Sequence, residues 1–423
     1  MVEMNDALPE GPEENAYPRW LRTIAVFLTG QTLSLFGSAI VAYAVIWHVT
    51  LTTGSGWQYA LLFIGSNLAA ALTTLPGGVW ADRFSRKALM IGADVFIMAW
   101  TLVLAFVLLS GYEKLWIIVA VLALRGLAGG IQGPAVSAAI PQLVPPSKLI
   151  RVNSINSSLT SLTYIAAPPL AAALLVYVPL GWILFIDVGT AIIGIGCVLL
   201  IRIPRIKNPL TSTEGLRGYV THMMEAGRYA LAIPALRRVG ILMVVMFVVV
   251  FPPAQISPVL VVRFFGPEEW MLAAIEMLWS IGMVAGGVIL AAWGGPKNRM
   301  VLIMATTALW GVFTIGIGLS FHFWVFCVVM ALFGLTVPGF TTAGMTSVQE
   351  LIPENLLGRT MGLINFILTL AVPLGMAIIA PLADVVNPRI LAIICGALGL
   401  LFTGWLSLDR GPASKLYAPE RPE

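Results

Sequence analysis

The chain has 423 residues, of which 59% are hydrophobic and only 10% charged, against about 25% charged in soluble domains, so water is not the solvent for most of it. The formal net charge of +4 reflects where lysine and arginine collect rather than a nucleic-acid surface, and Cys197, Cys327 and Cys395 all sit in apolar runs, which suggests neither a disulfide framework nor a metal site. Between Arg22 and Asp82 there is no Asp, Glu, Lys or Arg. The apolar runs are continuous and lack the two-residue alternation of a barrel strand, so helices must satisfy the backbone in lipid.

In chain order, residues 1–21 form an acidic, proline-containing tail with neither the basic start nor the apolar stretch of a cleavable signal peptide. A bilayer crossing needs roughly 20 mainly apolar residues. Spans of that kind are predicted at 22–49, 57–80, 88–110, 115–136, 153–177 and 182–201, giving a first bundle over 22–201. Residues 202–238 form a basic linker in which Leu216, Tyr219, Val220, Met223, Met224 and Gly227 recur at helical spacing, as in an amphipathic helix lying on an anionic leaflet. A second bundle over 239–408 has spans at 239–262, 270–293, 300–320, 323–347, 357–382 and 389–408, followed by a tail at 409–423. The expected fold is an all-α polytopic membrane protein of twelve transmembrane helices in two pseudo-symmetric six-helix bundles.

Lysine and arginine collect on the cytoplasmic side of short loops. Here they fall at the amino terminus, after the even-numbered spans and in the tail, with Lys114, Arg263 and Arg389 on the other side and Arg125 inside a span. Both termini are therefore expected in the cytoplasm of a multi-pass plasma-membrane (inner-membrane) protein. Trp57, Trp116, Trp182, Trp270 and Trp324 begin the even spans from the other side, as an interfacial belt does. The segments "LVPPSKLIR" (143–151) and "LIPENLLGR" (351–359) share Leu, Pro, Leu and Arg at matching places, 208 residues apart, each after the fourth span of its half. That reads as a duplicated six-helix unit, an architecture of transporters with the substrate site between the repeats.

The loop "GGVWADRFSRK" (77–87), between the second and third spans, resembles the signature Gly-x-x-x-Asp-Arg-x-Gly-Arg-Lys of the major facilitator superfamily through Gly78, Asp82, Arg83, Arg86 and Lys87, with Ser85 in place of the second glycine. "RGLAGG" in the fourth span is similar to the family's Arg-x-x-x-Gly pattern at Arg125 and Gly129, with Ala128 where glutamine is usual. "TYIAAPPLAA" in the fifth resembles an eroded antiporter motif in which Pro168 alone stands in place, flanked by the small residues Ala167, Ala171 and Ala172. The overall wording is most similar to the macrolide-efflux branch of bacterial drug:proton antiporters; branches exporting siderophores or moving lysophospholipids have similar loops. The resemblance implies alternating access driven by a proton gradient, with no cofactor, and a monomer in the lipid bilayer exchanging protons for a small amphiphilic molecule. It also implies that Asp82 latches the halves by approaching the amino end of helix 11 near Leu357, and that helices 3, 6, 9 and 12 stand outside the cavity.

Charges at mid-membrane cost roughly 2.5 kcal/mol or more each, which makes them functional candidates. Arg125 requires an anionic or carbonyl partner, either as a permanent pair or, as the family resemblance implies, in proton coupling. Glu276 lies two turns into the eighth span; it is a proton-binding carboxyl or a side chain reaching the headgroups. Asp94 and Asp187 are further coupling candidates for which structural pairing is favoured, Asp94 with the basic loop before it. His48 and His322 are expected in solvent, and His222 belongs to the linker. Gln31, Asn67, Gln132, Asn156, Gln255 and Asn365 are polar candidates for the cavity wall or for interhelical hydrogen bonds, Gln255 standing among Pro252, Pro253 and Pro258. There is no G-x-x-x-x-G-K-[ST] loop and no H-E-x-x-H, which argues against an ATP-driven pump and a zinc enzyme.

Overall fold

A computed structural model describes residues 20–203, 215–296 and 298–408, so the expectations for both tails and for linker residues 204–214 fall outside the described residues. The first six helices are α1 (Trp20–Thr53), α2 (Gly56–Arg83), α3 (Arg86–Leu109), α4 (Leu115–Leu143), α5 (Leu149–Tyr177) and α6 (Leu180–Leu200). After the linker helix α7 (Gly215–Ala232), the seventh span is built from α8 (Pro234–Val245), α9 (Pro252–Gln255) and α10 (Ser257–Phe264). Helices α11 (Glu269–Trp293), α12 (Arg299–Leu319), α13 (Phe323–Leu351), α14 (Glu354–Val385) and α15 (Pro388–Leu408) complete the chain. Among the described residues twelve spans are long and apolar enough to cross a membrane, as expected.

Most predicted spans are short at one end or both, the fourth by seven residues at its end, because helices continue past the apolar window into the loops. Ser55 and Ser85 are N-caps whose hydroxyls accept from Gln58 N and Ala88 N, both at 3.4 Å. Ser85 takes φ −60°, a conformation open to any residue, so the signature's second glycine is not needed at this turn. All five belt tryptophans are exposed where the even spans begin, and we call this end of the bundle the tryptophan face and the other the termini face.

Packing repeats after six spans. In the first half α2 lies on α4, and α3 on α4 and α6; in the second, α11 lies on α13, and α12 on α13 and α15. Small residues set the close seams: a β-carbon at Gly126 or Gly130 would collide with the carbonyl of Ser66 or Ala70 across α2/α4, and one at Gly282 or Gly286 with those of Ala331 or Leu335 across α11/α13. The halves meet along α2 with α14 and α5 with α11.

The seventh span is irregular for a local reason. Pro252, Pro253 and Pro258 have no N–H to donate, so the ladder first widens into a π segment at Met246–Val250 and then breaks at Ile256. Two carbonyls near the break find other donors: Val250 O accepts from Thr314 Oγ1 at 3.2 Å, and Gln255 O from the Tyr59 hydroxyl at 2.8 Å. The second of these bonds ties the first half to the seventh span.

Candidate functional site

A buried charge cluster lies inside the first half. Asp187 on α6 is 0% exposed and accepts from Ser38 Oγ at 2.7 Å and Thr101 Oγ1 at 2.9 Å. Arg125, 8% exposed on α4, donates at 2.5 Å to Asp187 Oδ2, the oxygen Thr101 also reaches, while Ser38 holds Oδ1, and it donates to Thr101 as well. Three helices around α4 thus supply the anion and hydroxyls that a permanent cation requires. The sequence pointed to both charges without pairing them, because 62 residues separate them and only the packing of α4 and α6 against α3 closes that distance.

Asp94 departs from expectation. It does not join the basic loop; Oδ1 accepts from Ser34 Oγ on α1 at 2.9 Å and Gln132 Nε2 on α4 at 2.7 Å. The loop's cations are used elsewhere. Arg86 donates to Ala81 O at 3.0 Å and Ala138 O at 2.6 Å, and Lys87 to Leu199 O at 2.9 Å and Ile201 O at 2.8 Å. Ala81, Leu199 and Ile201 lie in the last turn or at the end of α2 and α6, where the helix dipole favours cations, and Ala138 lies just before the last turn of α4. Asp82 is about half exposed and has Arg86 at 3.7 Å, one turn on. The side chain of Leu357 lies outside the described residues, and with it the predicted meeting of Asp82 and the start of α14. Of the loop glycines it is Gly77, not Gly78, that is pressed against α4, where a β-carbon would stand 2.8 Å from Gly130 O.

Two connected cavities occupy the middle of the molecule. One, about 420 Å³, belongs to the first half and is lined by Gln31, Ser34, Gln132, Asn156 and Arg125 among others. The other, about 690 Å³, lies between the halves and is lined by Asn67, Arg125, Gln255 and Glu276 with Tyr43, Tyr59, Tyr164 and Trp279. They share Leu35, Ser38, Arg125, Gly129 and Tyr164. Glu276 faces the larger cavity from α11 and forms no hydrogen bond or ion pair among the described residues, so it does not reach up to the headgroups. Asn365 lines neither cavity and is exposed on α14. Buried Pro168 sits within α5 beside buried Ala167, Ala171 and Ala172, which keep that helix thin.

Sequence reasoning missed the three tyrosines and the hydroxyl set of Ser34, Ser38 and Thr101. Gln31, Ser34 and Ser38 fall at i, i+3 and i+7 on one face of α1, a periodic polar signal inside an apolar span that could have revealed them. The second half answers this polar interior with rings. Helices α4 and α13 begin 208 residues apart, as do α6 and α15, so Phe333 corresponds to Arg125 and Cys395 to Asp187. Phe333 packs with Trp310 and Trp279, each at 5.3 Å between centroids.

At the tryptophan face a polar clasp joins the halves. Asp384, in the last turn of α14, accepts from Gly56 N and Trp57 N, each at 2.8 Å, from Ser55 Oγ at 3.0 Å, and from Arg263 of α10. An anion here meets the exposed N–H groups and positive dipole end of α2. Arg263 also donates to Gly54 O at 2.6 Å and Ala383 O at 2.5 Å. Arg389 stacks on Phe264, 4.1 Å from the ring centroid, so two of the basic residues that depart from the charge asymmetry have local partners. His48, expected in solvent, has Glu113 at 3.5 Å, because α1 ends beside the α3–α4 loop. Toward the termini face, Asn153, Ser157 and Ser161 form an exposed polar stripe on α5 that leads to Tyr164 at the cavity wall.

Known proteins match this arrangement over nearly its whole length. Macrolide efflux protein A of Streptococcus pyogenes is 30% identical over 378 residues, 87% of this chain and 91% of its own length. The protein of that name from Enterococcus faecalis is 31% identical over 309 residues, 71% and 93%. Multidrug efflux pump Tap of Mycobacterium tuberculosis is 22% identical over 426 residues, 94% and 96%. Among solved structures, a bacterial homolog of the human lysosomal transporter Spinster, inward-facing and unoccupied, superposes with a TM-score of 0.68 at 14% identity, covering 95% of this chain and 96% of that one. A POT family transporter in complex with 5-aminolevulinic acid gives 0.71 at 12% identity, covering 92% and 96%. At these identities the structures speak for the fold alone. The family model described as Major Facilitator Superfamily matches residues 23–376, and the chain belongs to that superfamily of membrane transporters.

Proposed function

We propose that the protein exports hydrophobic or amphiphilic drugs, macrolides foremost, in exchange for protons. The observation that carries this reading is the 690 Å³ cavity between the halves, with aromatic walls and an unpaired carboxyl at Glu276. A site of that size, largely apolar with a few convergent polar groups, suits a large amphiphile better than a small polar solute. The names of the macrolide and multidrug efflux relatives support the same substrate class. The termini face lies in the cytoplasm of the plasma membrane, and the protein works as a monomer.

In this reading the conformation described is loaded from the cytoplasm. The Asp384–Arg263 clasp and the Tyr59–Gln255 bond close the tryptophan face, while the polar stripe of α5 leads into the cavity from the termini face. Transport then requires the two six-helix halves, 22–201 and 239–408, to rock about the cavity. Asp82 engages the start of α14 when the termini face closes, and the clasp at the other end of α2 and α14 releases.

Inside-out vesicles test the function. An imposed proton gradient, acidic inside, is expected to drive macrolide accumulation that an uncoupler abolishes. Accumulation that survives the uncoupler would refute antiport. Failure to move any macrolide, with movement of a siderophore or lysophospholipid instead, would refute the substrate class.

A further inference from the structure

One buried titratable group takes no part in the cavity wall or the ion pair. Asp94 is 1% exposed on α3, and its two oxygens are treated differently. Oδ1 accepts from Ser34 and Gln132, whereas the buried Oδ2 has no hydrogen-bond partner among the described residues. An ionised carboxylate accepts at both oxygens and, when buried without a cation, costs several kcal/mol.

The charged groups facing it offer no compensation. Arg125 on α4 is already bonded to Asp187 and Thr101, and Asp187 on α6 cancels its charge. From α1 its partner is the uncharged Ser34, and the cation and imidazole of that helix, Arg22 and His48, stand near its ends. Gln31 Nε2 is itself buried without a partner, one turn before Ser34 on the same face. Among the described residues Asp94, Arg125 and Asp187 are the only charged side chains this buried, so ionising Asp94 would leave the interior of the first half with an uncancelled negative charge. Both of its donors, Ser34 and Gln132, line the 420 Å³ cavity. Asp94 thus stands one side chain behind a space that water can fill.

We propose that Asp94 is the residue that carries the exchanged proton, present in this conformation as a neutral acid with its hydrogen on Oδ2, and that Asp187 is the fixed counter-ion of Arg125. The inference rests on the proton-exchange reading above. On release, the O–H bond of Asp94 breaks, the proton passes to water in the 420 Å³ cavity and the electron pair stays on the carboxylate. That new anion competes with Asp187 for Arg125, whose guanidinium borders both cavities. Proton loss therefore alters the one ion pair joining α4 to α6 among the described residues and, through Arg125, the wall against which the drug binds.

Two experiments on the full-length protein decide it. Infrared spectroscopy of a Glu276→Gln background, with the carboxyl of the cavity wall removed, is expected to show the carbonyl stretch of a protonated carboxylic acid at neutral pH; adding Asp94→Asn should abolish it. This measurement needs no substrate, so it stands even if no macrolide is moved. In proteoliposomes, one pH unit sustains up to about tenfold macrolide accumulation per exchanged proton. Asp94→Asn in the otherwise native chain should reduce that ratio to about one while macrolide exchange without a gradient continues, because asparagine keeps the acceptor at Oδ1 and a neutral donor beside it. Absence of the acid band, its persistence in Asp94→Asn, or undiminished uphill accumulation by that variant would each overturn the proposal. Should Asp94→Asn fold poorly, the band in the Glu276→Gln protein, and its loss on raising the pH, distinguishes the neutral acid from the carboxylate without it.

Discussion

Replacing Asp384 with alanine removes a carboxylate that closes the tryptophan face at the end of α14. Four donors lose their acceptor at once: Gly56 N, Trp57 N, Ser55 Oγ and the Arg263 guanidinium. Bonds to a charged acceptor contribute about 1.5–3 kcal/mol each when shielded from water. This carboxylate is 26% exposed, as is Arg263, so water replaces part of what is lost and the ion pair itself falls toward the ~0–1 kcal/mol of surface pairs. The two backbone donors, fixed in the first turn of α2, keep most of their preference for an anion. A net loss of about 2–3 kcal/mol is expected, which shifts the balance between the two faces by about 30- to 150-fold toward opening at the tryptophan face. Spin labels at Thr53 and Val386, on either side of the clasp, measure this by double electron–electron resonance: the variant should show a longer distance population that the parent lacks. An unchanged distribution in a properly folded variant would refute the view that these bonds hold the face shut.

The other expectations are simpler to state. Asp187→Leu leaves Arg125 as an uncompensated buried cation and should cost about 3–5 kcal/mol, read as lost thermal stability in detergent, whereas Arg125→Leu with Asp187→Leu recovers much of that stability but not proton-driven transport. Asp82→Asn should slow transport at normal abundance, since the carboxylate is half exposed and carries little stability here; a normal transport rate would remove the latch. Gly126→Leu should fail to accumulate in the membrane, because its side chain has no room beside the Ser66 carbonyl, while Leu at Gly129, which faces open space, should leave abundance normal and obstruct the cavity, read as membrane abundance and macrolide efflux.

Much of the architecture is legible in one dimension, for physical reasons. Lipid leaves the backbone no partner but itself, so the number of spans follows from lengths of apolar sequence, and the tryptophan belt marks one end of the even spans up to the tenth. The prolines at 252, 253 and 258 announce the broken seventh span for an equally local reason, the missing N–H. The loop at 77–87 carries its family signature in contiguous residues. Each of these features depends on neighbours within a few positions.

Pairing is different. Arg125, Asp187 and Asp94 could be singled out by their cost in the membrane, yet nothing in their spacing says that Arg125 meets Asp187 while Asp94 is left with Ser34 and Gln132. That choice is made by how α1, α3, α4 and α6 pack. The clasp of Asp384 is less visible still, because its donors are main-chain N–H groups some 330 residues away, and a backbone donor has no signature in a sequence. Composition and apolar length alone determined that this chain spans a membrane twelve times and pointed to the charges that matter. The tertiary structure alone decided which of those charges are cancelled, which face the cavity and which is left without a counter-ion among the described residues, because burial and distance arise only when the helices pack.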